Sequence, residues 1–397
     1  MTTIERIEVI KTAPAGHRLV IVKVHTSEPG LYGLGCASAT LRVTSIEKAI
    51  EELAPFAIGR DVLRIEEFYN AATTNSYWRN GPILNCAISG IDMALWDILG
   101  KIAGLPVYQL LGGKSREGAA VYHHGYGRSP AELAEDVLRL HEERGARYVR
   151  LPVENGDAGD RLHSPRGALS GLYHDPDVAI RKTIENFRVV RERVGDRVGL
   201  LFDVHERLAP PDVFRLARAL EEFELFFLED PLPPELNDWF ERLRSQTSLP
   251  LAMGELFVNP NEWIPLVKNN LIDFIRCHLS VIGGITPARR LAAFCEVHGV
   301  RTAWHGPPDV SPVGHAANIH LDVNVPNFGI QELGGFTDAE REVFPGTPEI
   351  ADGYVYPNDG PGLGIDIDER AAARYPADAI TREWPVMRRP DGSAMRP

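Results

Sequence analysis

LLFDVH (200–205), LFFLED (225–230) and LAMGEL (251–256) decide the fold. Each is a short apolar run that stops at a carboxylate, Asp203, Glu229 or Glu255, and each acid stands 26 residues after the one before. An apolar run of this length reads as a buried parallel strand that delivers its acid to the rim of a sheet. A spacing of 26 holds one strand, one helix and two loops, the unit that closes into a (β/α) barrel. Three such acids on neighbouring strands would repel one another, so a divalent cation is their natural partner. Ligation by oxygen alone favours Mg²⁺ over zinc. A helix cap or a salt bridge accounts for any one of the three, but neither has reason to recur at the same point of every unit.

Working outward, strand and helix alternate strictly from Ala119. Strands are expected at 119–122, 148–151, 199–203, 225–229, 250–255, 273–279, 301–305 and 328–332, with helices between them. A stretch at 154–176, rich in Gly, Asp and Pro, interrupts the alternation and reads as a functional loop. Before Ala119 the order differs: alternating strands over 4–24, a break at Pro29-Gly30, then helices over 45–58, 65–78 and 84–103. The expected architecture is α/β: a (β/α) barrel of modified TIM type over 116–345, with an α+β capping domain over 1–115. A tail over 346–397 packs back on that cap and completes it.

The bulk properties exclude several classes. A chain of 397 residues, 44% hydrophobic and 24% charged, has room for a barrel and a second domain. No run approaches the ~18 uninterrupted apolar residues of a membrane span, and MTTIERIEVI enters strand-like alternation without a signal-peptide pattern. No membrane is expected, and the expected location is the cytoplasm. A net charge of −13 argues against nucleic acid, whose phosphates need clustered Lys and Arg. Cys36, Cys86, Cys277 and Cys295 lack metal or disulfide spacing and read as reduced core thiols.

Barrel active sites lie at the C-terminal ends of the strands, which collects His124, Arg150, Asp203, His205, Glu229, Asp230, Glu255, Arg276, His278, His305, Asp309 and Glu332. The set offers a metal, histidines that exchange protons near neutral pH, and arginines suited to a carboxylate. Removing a proton α to a carboxylate places a second negative charge on one small group, and a divalent cation makes that bearable. If the next carbon carries a hydroxyl, an acid that protonates it lets water leave as a 2-keto-3-deoxy acid forms. His205, two residues beyond Asp203 on the same strand, faces the same way and is the expected acid.

With these residues in place, the sequence resembles the enolase superfamily, and within it the mannonate dehydratase subgroup that includes starvation-sensing-type proteins. The resemblance rests on GIDMALWDILGKIAGLPVYQLLGG, LFDVH, FFLEDPLPPE, AMGELF, FIRCHLSVIGGIT, RTAWHGPPDVSPVGHAAN and FGIQE. It implies Mg²⁺ on Asp203, Glu229 and Glu255, His205 as the acid, and Arg150 assisting a loop tyrosine base. It places His124, Arg276, His305, Asp309 and Glu332 around an acid sugar, D-mannonate or D-gluconate, with His305 and Arg150 counted among the catalytic groups. It also implies a homo-oligomer. The chain departs from the family pattern in four places. The base tyrosine is absent near His163 and Pro165, and Tyr173 matches a later position. Arg42 stands where relatives carry Asn. The C-terminus is DGSAMRP rather than Trp-rich, and Pro307 matches a less active branch. Two other readings remain open: racemisation or cycloisomerisation of another carboxylate, and a weakly catalytic sugar-acid sensor.

Overall fold

A computed structural model describes residues 1–39, 41–75, 77–153, 165–379 and 384–396. Along the chain run β1 (Ile4–Thr12), β2 (Leu19–Thr26), β3 (Tyr32–Cys36), α1 (Val43–Ala57), α2 (Ile65–Asn75), α3 (Pro82–Ala103) and α4 (Val107–Leu110). Next come β4 (Ala119–His124), α5 (Pro130–Arg144), β5 (Tyr148–Leu151), β6 (Leu172–Tyr173), α6 (Pro176–Val194), β7 (Gly199–Asp203), α7 (Pro210–Leu220) and β8 (Phe227–Glu229). They are followed by α8 (Phe240–Arg244), β9 (Leu251–Met253), α9 (Pro260–Lys268), β10 (Phe274–Ile275), α10 (Leu279–Ile282), α11 (Ile285–Val297), β11 (Arg301–Thr302), α12 (Pro312–Asn324) and β12 (Gln331–Glu332). The chain closes with α13 (Asp338–Val343), β13 (Glu349–Ala351), β14 (Tyr354–Tyr356), α14 (Glu369–Ala372) and β15 (Met387–Arg388). An α+β cap thus precedes a (β/α) alternation. The described residues form two compact units, one drawn from 1–120, 255–264 and 276–382, the other from 121–254, 265–275 and 383–397.

In the first unit β1, β2 and β3 make an antiparallel meander. α3 begins with Pro82 at its first turn and ends at Gly104, whose φ of 67° is the left-handed stop that glycine supplies. β3 lies so close to α3 that a Cβ on Gly35 would stand 2.0 Å from the Gly90 carbonyl oxygen, which is why that position is glycine. By length and composition α3 could cross a membrane, yet 83% of its apolar window is buried within the protein, the mark of a core helix. Buried Asp97 on α3 accepts from Leu34 N (3.0 Å), Leu363 N (2.8 Å) and Lys101 Nζ (2.7 Å). It thereby ties β3 and the tail to one helix. Residues 363–375 make further bonds to the meander, including Tyr32 Oη to Asp366 (2.8 Å) and Ala13 N to the Tyr375 carbonyl (2.8 Å).

In the second unit the parallel strands run in the order β10-β9-β8-β7-β5-β4. Asp203 is in register with Glu229, and Glu229 with Ala252. Several ladders are shorter than expected: β10 covers only 274–275 of the expected 273–279 and β9 only 251–253 of 250–255. The chain leaves β10 early because His278 caps the short helix α10. The last described residues differ from the expectation for the tail. β15 pairs in parallel with β6, Met387 opposite Leu172 and Arg388 opposite Tyr173, so residues 384–396 belong with the second unit rather than the cap.

Candidate metal and acid–base site

Adjacent acids from β7 and β8 form a shelf in the second unit. Asp203, Glu229 and Asp230 are all buried, and each offers an oxygen within 4.8 Å of the others. Arg150, from the end of β5, donates through one Nη to Asp203 Oδ2 and Glu229 Oε1, both at 3.1 Å. The phenol of Tyr122 on β4 donates to the other Glu229 oxygen (3.3 Å). Three buried carboxylates, two of them held by a guanidinium, suit a hard divalent cation, since the donors are all oxygen and the shelf is strongly anionic. The donor set therefore fits Mg²⁺.

Backbone twists at the strand ends aim these groups. The chain turns left-handed at His205 (φ 53°), Glu206 (φ 58°) and Asp230 (φ 36°), costly conformations for residues other than glycine. The turn lets His205 N donate to Asp203 Oδ1 at 2.6 Å, while Gly254 N donates to Asp230 Oδ1 at 2.9 Å. His205 thus sits on a tight turn after the strand and not on a continuing strand as expected. Its ring lies 5.7 Å from that of Trp384. His124 ends β4 opposite Arg150 in the parallel ladder, half-buried, with its ring 6.0 Å from that of Tyr122. Tyr173 is buried, and its hydroxyl donates to the Leu169 carbonyl at 2.7 Å, so it is a structural residue. His163 lies outside the described residues.

A second cluster lies in the first unit. Glu255 pairs with His305 Nε2 at 3.1 Å, and Glu332 Oε2 stands 3.9 Å from the same nitrogen. Fully buried Arg276 donates to Glu332 Oε2 at 3.0 Å, and Gly306 N donates to the same oxygen at 3.0 Å. Burial opposes charge on His305, but Glu255 and then Glu332 outweigh it and raise its pKa. Asp309 is raised by burial against the lowering field of His305. His278 and His315 are pushed down to about 3 and about 4, chiefly by burial. Reading strand ends as acid carriers brought out most of these residues. Asp230 in the metal-fit group and His278 as a cap were missed as such. Alternation along a strand puts Asp230 on the face opposite Glu229, and nothing in the residue type announces the twist that brings it back.

Known proteins match along most of the chain. A family described as the mandelate racemase / muconate lactonizing enzyme N-terminal domain matches residues 4–112, and one described as enolase C-terminal domain-like matches 132–371. A D-galactonate dehydratase family member of Salmonella enteritidis is 51% identical, covering 99% of this chain and 98% of the relative. A further member from Enterocloster bolteae is also 51% identical, covering 100% and 99%. Among solved structures, an enolase from Pantoea ananatis with bound D-gluconate and Mg superposes with a TM-score of 0.95 at 50% identity, over 100% of both chains. A putative galactarate dehydratase from Agrobacterium radiobacter, with bound Na and L-malate, gives 0.86 at 29% identity over 99% of each.

Proposed function

The chain belongs to the enolase superfamily, and from that premise we propose that it is an Mg²⁺-dependent acid-sugar dehydratase, a hydro-lyase that forms a 2-keto-3-deoxy acid. The observation that carries the reading is the buried oxygen shelf of Asp203, Glu229 and Asp230 around Arg150. Asp203, Glu229 and Glu255 would hold the ion, Glu255 on the strength of the 26-residue spacing and the family pattern. Bound there, Mg²⁺ supplies charge stabilisation at a substrate carboxylate. The chain's own groups do the rest. Arg150 orients the shelf, His205 on its rigid turn gives a proton to the departing 3-hydroxyl, and His305 beside Glu255 is a further catalytic group. His124, Arg276, Asp309 and Glu332 surround the acid sugar.

The substrate reading is a hexonate, D-mannonate or D-gluconate. D-Gluconate is supported by the ligand of the Pantoea ananatis structure, and D-galactonate joins the panel because the relatives carry that family name. Membership of the mannonate dehydratase subgroup, with the low turnover that Pro307 implies, belongs to the same proposal. So do a homo-oligomer in the cytoplasm and a cap, barrel and tail divided at about residues 115 and 345. Incubating the aldonate panel with Mg²⁺ and assaying 2-keto-3-deoxy acid tests the reading. Product that disappears with a chelator supports it, and a panel without product under any condition overturns it.

A further inference from the structure

His278 is not among the groups assigned a role above, and its surroundings prepare it for one. It is 4% exposed and stands immediately before α10. Ser280 N donates to His278 Nδ1 at 3.2 Å, so that nitrogen is an acceptor and the neutral ring carries its proton on Nε2. α10 is itself fixed: Ser280 Oγ donates to the Cys36 carbonyl (3.1 Å), and Asn85 Nδ2 donates to the Val281 carbonyl (2.8 Å). The ring therefore has one orientation, 5.4 Å between centroids from His305.

Among the described residues the His278 Nε2–H has no partner, although acids stand in the same cluster. Oε2 of Glu255 pairs with His305, and Oε2 of Glu332 takes Arg276 and Gly306 N. A buried donor left unsatisfied costs about 1–3 kcal/mol and persists where a ligand uses it. We infer that His278 is a substrate-contacting residue, a fixed neutral donor whose Nε2–H bonds an oxygen of the acid sugar. Burial first, and then the neighbouring His305, hold its pKa down to about 3, which keeps it a single-proton donor throughout the working range. This inference rests on the proposed function.

The test separates the two nitrogens. His278→Asn keeps an oxygen that caps Ser280 N, since Asn is a strong helix cap, but it has no group where Nε2 stands. With Mg²⁺ and D-gluconate, H278N is expected to keep the wild-type thermal midpoint and raise KM about tenfold with kcat little changed, the signature of lost uniform binding. A purely capping role predicts wild-type kinetics for H278N, and that result overturns the inference while leaving the proposed function standing. If H278N fails to fold, ¹⁵N-histidine spectra of the wild type decide: D-gluconate with Mg²⁺ shifts the His278 Nε2–H resonance, and an unmoved resonance refutes the contact. A wild type that neither binds nor converts any aldonate overturns the functional reading and the inference together.

Discussion

Lowering the pH toward 5 should destabilise this protein through its buried histidines. His174, His315 and His320 are held down to about 4 and His278 to about 3, burial being the largest cause in each. Geometry explains why His320 resists protonation: its Nδ1 already accepts from Tyr108 N (3.1 Å) and its Nε2 faces the Leu363 carbonyl (3.2 Å), so a second proton would set two N–H groups against each other. With folded pKa values below the unfolded 6.5, the stabilisation is complete above pH 6.5 and is lost as pH falls toward 4. At pH 5 each histidine stands about 1.5 pH units below its unfolded pKa, worth about 2 kcal/mol, or about 8 kcal/mol for the four together. That is comparable with the whole stability of an ordinary domain. Urea unfolding at half-unit steps from pH 7.5 to 5 measures the slope. The histidines together take up close to four protons on unfolding near pH 5, and the buried acids Asp92 and Asp322, raised by burial, act in the opposite sense, so a net uptake of about two to three is the expected result and one below about one would refute the reasoning.

Three further outcomes follow from single contacts. Arg150→Ala should destabilise the metal-free protein by about 3 kcal/mol in urea, because it leaves buried acids facing one another, and added Mg²⁺ should restore most of that loss. Asp92, buried on α3 with its pKa raised to about 7 mainly by burial, is stabilised as the acid, so its cost of up to about 4 kcal/mol appears as pH rises from 4 through 7. Asp92→Asn should therefore raise the thermal midpoint at pH 8.5 and change it little at pH 4. Gly35→Ala should cost about 3 kcal/mol or more in denaturant unfolding, since the new Cβ meets the backbone of α3 and not a movable side chain.

The fold was largely legible because its signals are local and repeated. The 26-residue spacing located β7, β8 and β9, and the apolar face expected over 84–103 bounded α3 within two residues of its observed start at Pro82. The site was legible as far as strand alternation reaches and no further. Alternation has no means of anticipating left-handed turns at His205, Glu206 and Asp230, because such conformations are imposed by neighbours and not preferred by those residue types. It therefore gave Glu229 as a metal ligand and listed Asp230 at the rim without that role, and it named His205 for a strand geometry that the chain abandons at Asp203. The ending of the chain was harder still. The pairing of β15 with β6 joins segments more than two hundred residues apart through two residues each, too short a run for periodicity to register.

The central claim is that Asp203, Glu229 and Glu255 hold one Mg²⁺ per chain, and calorimetric titration of the metal-free protein with Mg²⁺ tests it most directly. One site in the wild type, with affinity falling at least about 100-fold in each of Asp203→Asn, Glu229→Gln and Glu255→Gln, is the predicted result. Wild-type affinity in all three variants would contradict it.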